Sequence, residues 1–490
     1  MPRVVVVSPP FLSHARPLSV LAGALRESGA EVHFACAPAF EPLAREAGLR
    51  FVPLSVTRNA NTGVAESTRQ DAEEAARLRA FLDATREGAV AALLAQARHR
   101  HADLLADPEG VLEALRAVDL EVRPDWYVVD QLSYPVTLAL HCLGLRYATF
   151  CPGHPSYVLS GPDAFFGLPS AWPDALRPEP GGLTELRAAV ERNDADFTAL
   201  FTAFARRFAP SRPAPGRAFA LTSPHAVVHG YPALPWLPVP SAGPLRLFAG
   251  HMAAPPERLD AEWGGRLGRL RAHGGRLVLV AFGTFLSARD DVLRTVVRGL
   301  LEGARDVSVV VAAGDRADAL ADLAGERAVV ARSVPQRALL EHADAMVHHG
   351  GGNSFTECLR AGVPALVLPF SSDQFAVARD AERAGAGVVL DPNTLSASDV
   401  PAALAGATEG PGRRLAALAA RVRERGPRWA ADRLSTAMES PARGGPVDSA
   451  GRRPGDLGVP AAAVHPPAVP GRNHRYRHGD RRSGDEQRRH

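Results

Sequence analysis

Two stretches of this chain alternate short apolar runs with helix-forming segments, and that alternation limits the fold more than any other feature. In the first stretch Arg3–Ser8, Glu31–Cys36, Trp126–Asp130 and Tyr147–Cys151 are apolar and rich in valine and aromatic residues. In the second, Arg276–Gly283, Val307–Ala313, Ala328–Arg332, Ala345–His348, Ala365–Pro369 and Gly387–Leu390 repeat the pattern. Runs that are apolar at consecutive positions and bounded by Gly, Pro or Asp fit strands buried on both faces of a parallel sheet. Parallel strands need crossover connections, and Pro17–Ser28 and Thr68–Arg98 have the Ala, Leu and Arg content of crossover helices. The expected fold is α/β, with two doubly wound Rossmann-like domains facing across a cleft.

The stretches are separated by Pro210–Pro256, a proline-dense segment in which Phe219–Leu221 and Ala226–His229 still have strand character. A hinge is placed near His251–Leu259. The expected division is an N-terminal domain at 1–250, a linker at 251–265 and a C-terminal domain at 266–440. Residues 441–490 hold ten Arg and five acidic residues among Pro and Gly, and read as a disordered tail. That tail carries the basic balance: the whole chain is at +3, and the other 440 residues are at −2. Binding of nucleic acid is therefore not expected, and Tyr476 is the lone aromatic ring of Phe, Tyr or Trp type in the tail.

All 56 residues counted as Lys+Arg are arginine. The lack of lysine excludes Schiff-base chemistry and the phosphate-binding lysine of P-loop proteins and kinases. Cys36, Cys142, Cys151 and Cys358 have no CxxC or CxxH spacing, which points to small buried hydrophobes and not to disulfides or a zinc site. Apolar runs such as Val4–Val7 and Leu277–Phe282 fall far short of the roughly 20 residues of a membrane span, and no signal pattern opens the chain. A cytoplasmic protein without integral membrane contact is expected.

The stretch that carries most chemistry is His348–Glu357, where His349 is followed by Gly350, Gly351, Gly352, Asn353 and Ser354, after one apolar run and before a helix stopped by Gly362-Val363-Pro364. A helix start offers free N–H groups and the positive end of the helix dipole, and glycines let a phosphate approach the backbone. A tight turn capped by Asn353 or Ser354 is the alternative. Gly283-Thr284, Asp373-Gln374, His14 and Asp130 also follow or end apolar runs, on the side where ligands of open α/β sheets bind. His14, just ahead of a helix expected to begin near Pro17, is suited to take a proton from a hydroxyl. Asp130 is suited to fix its tautomer, or else to cap a helix. Asp194-Ala195-Asp196 is DxD-like but lies in a polar helical stretch and reads as a solvated face. No strand is followed by GxGxxG, which counts against a Rossmann oxidoreductase.

The spaced motifs Ser333-Val334-Pro335-Gln336, His349-x-Gly351-x-Asn353-Ser354-x-x-Glu357, Gly362-Val363-Pro364 and Pro369-x-x-x-Asp373-Gln374 resemble those of the family-1 nucleotide-sugar glycosyltransferases, in particular the bacterial members that decorate natural products. The resemblance covers about residues 3–437 and implies the GT-B fold. It implies that His349 and the Gly350–Ser354 loop hold the diphosphate of a UDP- or dTDP-sugar, with Thr284 adding a hydroxyl. Glu357 would bind the ribose, Ser333, Val334 and Gln336 would lie beside the base, and Asp373 and Gln374 would contact the donor sugar. His14 would be the general base and Asp130 its partner. It further implies inversion at the anomeric centre, no metal and no cofactor beyond the nucleotide-sugar co-substrate. Arg413–Arg433 resembles the terminal helix that crosses back to the first domain. The family usually has tryptophan where Ser333 stands. Pro152–Pro173, with Tyr157, Phe165, Phe166 and Trp172, either lines a pocket for a lipophilic acceptor or packs in the core. The expected assembly is a monomer or homodimer. Rival readings are a sugar-nucleotide epimerase or cell-wall transferase of the same fold, or a non-catalytic sugar-nucleotide-binding partner protein.

Overall fold

Along β1 (Arg3–Val7), Val4 and Val6 enter one core and Val5 and Val7 another, so consecutive valines serve both faces of a buried strand. The structure is a computed structural model that describes residues 1–56, 72–100, 105–238, 242–254, 258–409 and 412–439. The readings that fall on 57–71, on 255–257 and on the tail at 441–490 lie outside the described residues. The first sheet adds β2 (Glu31–Cys36), β3 (Arg50–Pro53), β4 (Trp126–Asp130), β5 (Tyr147–Cys151), β6 (Ala226–His229) and β7 (Leu245–Phe248). Its order is β3-β2-β1-β4-β5-β6-β7, and its strand pairs are parallel.

The second sheet is built from β8 (Arg276–Ala281), β9 (Val307–Ala312), β10 (Ala328–Ala331), β11 (Ala345–His348), β12 (Ala365–Val367) and β13 (Gly387–Val389), in the order β10-β9-β8-β11-β12-β13 and again parallel. Val278 and Val280 pack with the helix Asp290–Gly303, whereas Leu277, Leu279 and Ala281 pack with the helix Ala261–His273. Helices thus cover both faces of each sheet, as the sequence predicts. Among the described residues no helix is long and apolar enough to cross a membrane.

Four details differ from the sequence reading. The first and last strands of the first sheet, β3 and β7, carry no fully apolar run and escape it, because an edge strand has one side in solvent and keeps polar residues. Phe219–Leu221 is not a strand: Ala218–Ala220 is a single 3₁₀ turn whose Phe219 stacks on Phe197 at 4.2 Å between ring centroids. The first helix runs Leu12–Glu27, so Pro17 lies inside it and His14 sits on its first turn rather than ahead of it. Arg413–Arg433 divides into two helices, Gly412–Arg423 and Pro427–Glu439, because Gly426 adopts φ 141° and Pro427 cannot continue a helix. Leu415 and Val422 of the first pack against Phe355 and Leu359. Ala430, Ala431 and Leu434 of the second pack against Leu18 and Leu21, carrying the chain back onto the first sheet.

Strand order reverses between β1 and β4 in the first sheet and between β8 and β11 in the second. A crevice opens at the carboxyl ends of the strands at such reversals, because the flanking connections leave on opposite faces. His14 follows β1, Asp130 ends β4, Gly283 follows β8, and His349 follows β11.

Candidate active site

Asp130 is the last residue of β4 and is fully buried, and its two carboxylate oxygens have separate tasks. Oδ1 accepts the N–H of Leu132 at 2.9 Å, which turns the chain after the strand. Oδ2 accepts Nδ1–H of His14 at 3.0 Å. Asp130 therefore does not cap a helix: the helix that follows, Tyr134–Leu143, starts at Ser133 without a side-chain cap. With Nδ1 donating, the neutral ring carries its lone pair on Nε2. The His14 side chain is 19% exposed. Burial alone would lower its pKa, but the charge and hydrogen bond of Asp130, with Asp373 adding, hold it above the ordinary value of 6.5.

Across the crevice, the helix Gly352–Ala361 begins without a side-chain cap. Its first backbone bond is Phe355 N–H to Gly351 C=O at 3.0 Å, so the amides of Gly352, Asn353 and Ser354 precede the intrahelical ladder. The turn capped by Asn353 or Ser354 is not what forms. Gly350 has φ 82°, and a Cβ there would stand 3.0 Å from the Gln374 carbonyl oxygen. His348 Nδ1 accepts the Gly350 N–H at 2.9 Å and pins this turn. The His349 ring fills the space that a Cβ on Gly283 or Gly351 would occupy, at 2.8 and 2.5 Å, and bonds to the Ala281 backbone. Burial pushes His348 down to about 3 and His349 down to about 4, so both rings are neutral. Thr284 lies in the short helix Gly283–Leu286, and its side chain is outside the described residues.

Glu357 lies one turn further along this helix. Burial lifts its pKa to about 6, against the pull of Gln336, Arg337 and Arg16, and Gln336 Nε2 donates to its Oε2 at 2.6 Å. Gln336 thus orients Glu357. Val334 packs into the apolar layer with Trp263, and Ser333 is exposed in the loop after β10. Asp373 Oδ2 accepts the N–H of His154 at 2.7 Å. The Gln374 carboxamide oxygen is taken up by the N–H groups of Phe370 and Ser371 at 2.9 and 3.1 Å, so its oxygen braces its own loop.

A second cluster was not read from the sequence. Asp380, 3% exposed on the helix Gln374–Ala384, accepts His154 Nε2–H at 3.0 Å, Tyr231 O–H at 2.9 Å and Trp236 Nε1–H at 2.6 Å. All three donors come from the first half, so a buried carboxylate of the second half ties the halves together beside Asp373. His154 was findable, because it follows β5 at the same strand ends as His14. Asp380, in mid-helix, carries no such signal.

Two rings of the aromatic segment after β5 are taken up in packing. Phe166 is buried and stacks on Phe219 at 5.1 Å, and Trp172 lies 4.7 Å from Phe375 of the second half. The core alternative holds for these two rings. The DxD-like pair is also not a solvated face throughout: Asp194 is buried and forms a two-point ion pair with Arg217 at 2.9 and 3.0 Å, while Asp196 is exposed. Among the described residues no group of three or more His, Cys, Asp or Glu gathers as a metal site. The four cysteines are free and buried.

Residues 300–427 match the erythromycin biosynthesis protein CIII-like (EryCIII-like) C-terminal domain, a span that holds Ser333 to Gln374. The two sheets with their flanking helices make the GT-B fold, which solved glycosyltransferases share. The glycotransferase of kitacinnamycin superposes with a TM-score of 0.64 at 22% identity, covering 89% of this chain and 99% of that one. The glycosyltransferase VinC, solved in complex with dTDP, superposes with a TM-score of 0.57 at 20% identity, covering 89% and 99%. In sequence, the 4'-demethylrebeccamycin synthase of Lentzea aerocolonigenes is 33% identical over 171 residues, 35% of this chain and 38% of that protein. The sterol 3-beta-glucosyltransferase of Aspergillus fumigatus is 32% identical over 131 residues, 25% of this chain. The matched segment spans only 9% of that fungal enzyme's length.

Proposed function

We propose that this chain is an inverting glycosyltransferase that moves a sugar from a nucleoside-diphosphate sugar, UDP- or dTDP-linked, to a hydroxyl of a lipophilic natural product. The observation that carries the reading is the His14–Asp130 pair at 3.0 Å on one side of the crevice and the uncapped, glycine-lined start of Gly352–Ala361 on the other. A base alone would suit many reactions. A base facing an anion-binding helix start suits transfer from a phosphate leaving group. The EryCIII-like match and the dTDP found with VinC support a nucleotide-sugar donor.

In this mechanism the acceptor hydroxyl gives its proton to His14 Nε2 as its oxygen forms a bond to the anomeric carbon. The bond from that carbon to the diphosphate oxygen breaks on the opposite face, and its electron pair leaves with the nucleotide. Asp130 stabilises the imidazolium that forms. The amides of Gly352, Asn353 and Ser354 meet the charge on the diphosphate, with His349 beside them, and the transfer requires no bound metal. Glu357, oriented by Gln336, takes the ribose hydroxyls. Asp373 contacts the sugar. Exposed Ser333 leaves the base without a stacked ring from that position, a contribution on the order of 1–3 kcal/mol per base.

The test is calorimetric titration of the full chain with UDP and with dTDP, without added metal, followed by turnover of His14→Ala. Binding of at least one nucleotide and a loss of about 10²–10⁴-fold in kcat are expected. Absence of binding to both, or wild-type kcat in His14→Ala, contradicts the reading. Nucleotide binding with a dispensable His14 would instead point to a non-catalytic binder.

A further inference from the structure

Pro17 is the sixth residue of the helix Leu12–Glu27. In an unbroken helix the N–H of residue 17 would donate to the carbonyl of Ser13, but proline has no N–H, and its ring crowds the carbonyl four residues back. The Ser13 carbonyl is therefore left without its helical donor, one residue before His14. It does not remain bare. Asn353 Nδ2, on the first turn of Gly352–Ala361, donates to Ser13 O at 3.2 Å across the crevice. The contact is reinforced next to it, where Gly352 lies against Pro152 and Gly153: a Cβ there would be 3.5 Å from the Pro152 carbonyl oxygen.

We infer that Asn353 is a positioning residue that locks the helix bearing the general base to the anion-binding helix start, through the backbone acceptor that Pro17 exposes. This rests on the glycosyl-transfer reading for its catalytic consequence, though not for the contact itself. The base and the leaving-group site belong to different sheets, and attack in line with departure requires both to be held in one register. The hydrogen bond from Asn353 to Ser13 adds to the Asp373 and Asp380 contacts and joins the two helix starts themselves. One N–H of the Asn353 carboxamide is taken by Ser13, and the Asn353 backbone N–H remains free of the intrahelical ladder.

The lock is tested with two variants on opposite sides of the crevice, Pro17→Ala and Asn353→Ala, and with their combination. Pro17→Ala restores the helical N–H, so the Ser13 carbonyl turns back to its own helix and Asn353 loses its acceptor without being altered. Hydrogen–deuterium exchange of the full chain reads the contact with no substrate present. Asn353→Ala is expected to speed exchange in the first turn of Leu12–Glu27, and Pro17→Ala in the first turn of Gly352–Ala361, by about fivefold, the effect of one net hydrogen bond. With an active donor and acceptor pair, each single variant should lower kcat by a similar factor and the double variant by no more than either alone. Affinity for UDP or dTDP should be unchanged in Pro17→Ala. A merely structural proline would give the opposite result, since Pro17→Ala should stabilise the helix and leave kcat at wild type. Exchange confined to the mutated half, or additive losses in the double variant, overturns the proposal. If neither nucleotide binds, the glycosyl-transfer reading fails, yet the exchange data still decide whether the lock exists.

Discussion

Replacing Asp130 with asparagine probes the base most sharply, because the two oxygens of Asp130 serve two different donors. Leu132 N–H at 2.9 Å and His14 Nδ1–H at 3.0 Å each require an acceptor, and asparagine has one. If the amide oxygen stays on Leu132, the NH₂ group faces Nδ1 and forces the proton of the neutral ring onto Nε2, so the cleft-facing nitrogen ceases to be a base. If the amide flips, its NH₂ meets the Leu132 N–H and the turn after β4 is disrupted. The charge is lost in either case. At 3.0 Å and an effective dielectric of about 20, a carboxylate stabilises an imidazolium by about 5 kcal/mol, part of which solvent replaces at this partly open site. A fall in kcat of about 10²–10⁴-fold follows.

The assay is the pH dependence of kcat with both substrates saturating. In the proposed mechanism His14 acts as the neutral ring, and its pKa is held above 6.5, so wild-type turnover should fall as pH drops through that raised value and be flat above it. In Asp130→Asn the plateau should be lower and the descent should move to lower pH. A plateau within about threefold of wild type, with an unmoved descent, would refute the assignment.

Three further outcomes are expected. Gly350→Ala forces a side chain into φ 82° and places its Cβ 3.0 Å from a carbonyl oxygen; strain of about 1–3 kcal/mol should distort the helix start and weaken nucleotide affinity in calorimetry, while a folded variant with unchanged affinity would remove the loop from the site. Trp236→Phe removes one of the three donors to buried Asp380 and should cost about 1–3 kcal/mol in denaturant unfolding; an unchanged midpoint would show that the cluster does not hold the halves together. Burial pushes His229, His251 and His348 down to about 3 and His349 to about 4, so the unfolded chain takes up protons below pH 6.5 that the folded chain does not. Stability should therefore fall as pH drops from about 6.5 toward 4, and a flat acid limb in urea titrations would contradict it.

The sheets, and the strand ends that carry the candidate site, follow from the residue pattern alone. Runs such as Arg3–Val7 and Arg276–Ala281 are apolar at consecutive positions, and few structures other than a covered parallel sheet bury both faces of such a strand. Parallel strands place their carboxyl ends together. That is why His14, Asp130, His349 and the glycines after it are legible from the sequence as one candidate site. Edge strands were not legible, because half of their surface stays wet. Nor were the partners of each side chain, which depend on distances between residues remote in sequence. Asp380 meets His154, Tyr231 and Trp236 across 144 to 226 positions, and Asn353 meets Ser13 across 340. Pro17 shows the boundary between the two kinds of knowledge. Proline's missing N–H is a property of the sequence, and it dictates that some carbonyl goes without its helical donor. Only the tertiary structure decides that the donor comes from the opposite sheet, because two helix starts are brought face to face there by the reversal of strand order in each sheet.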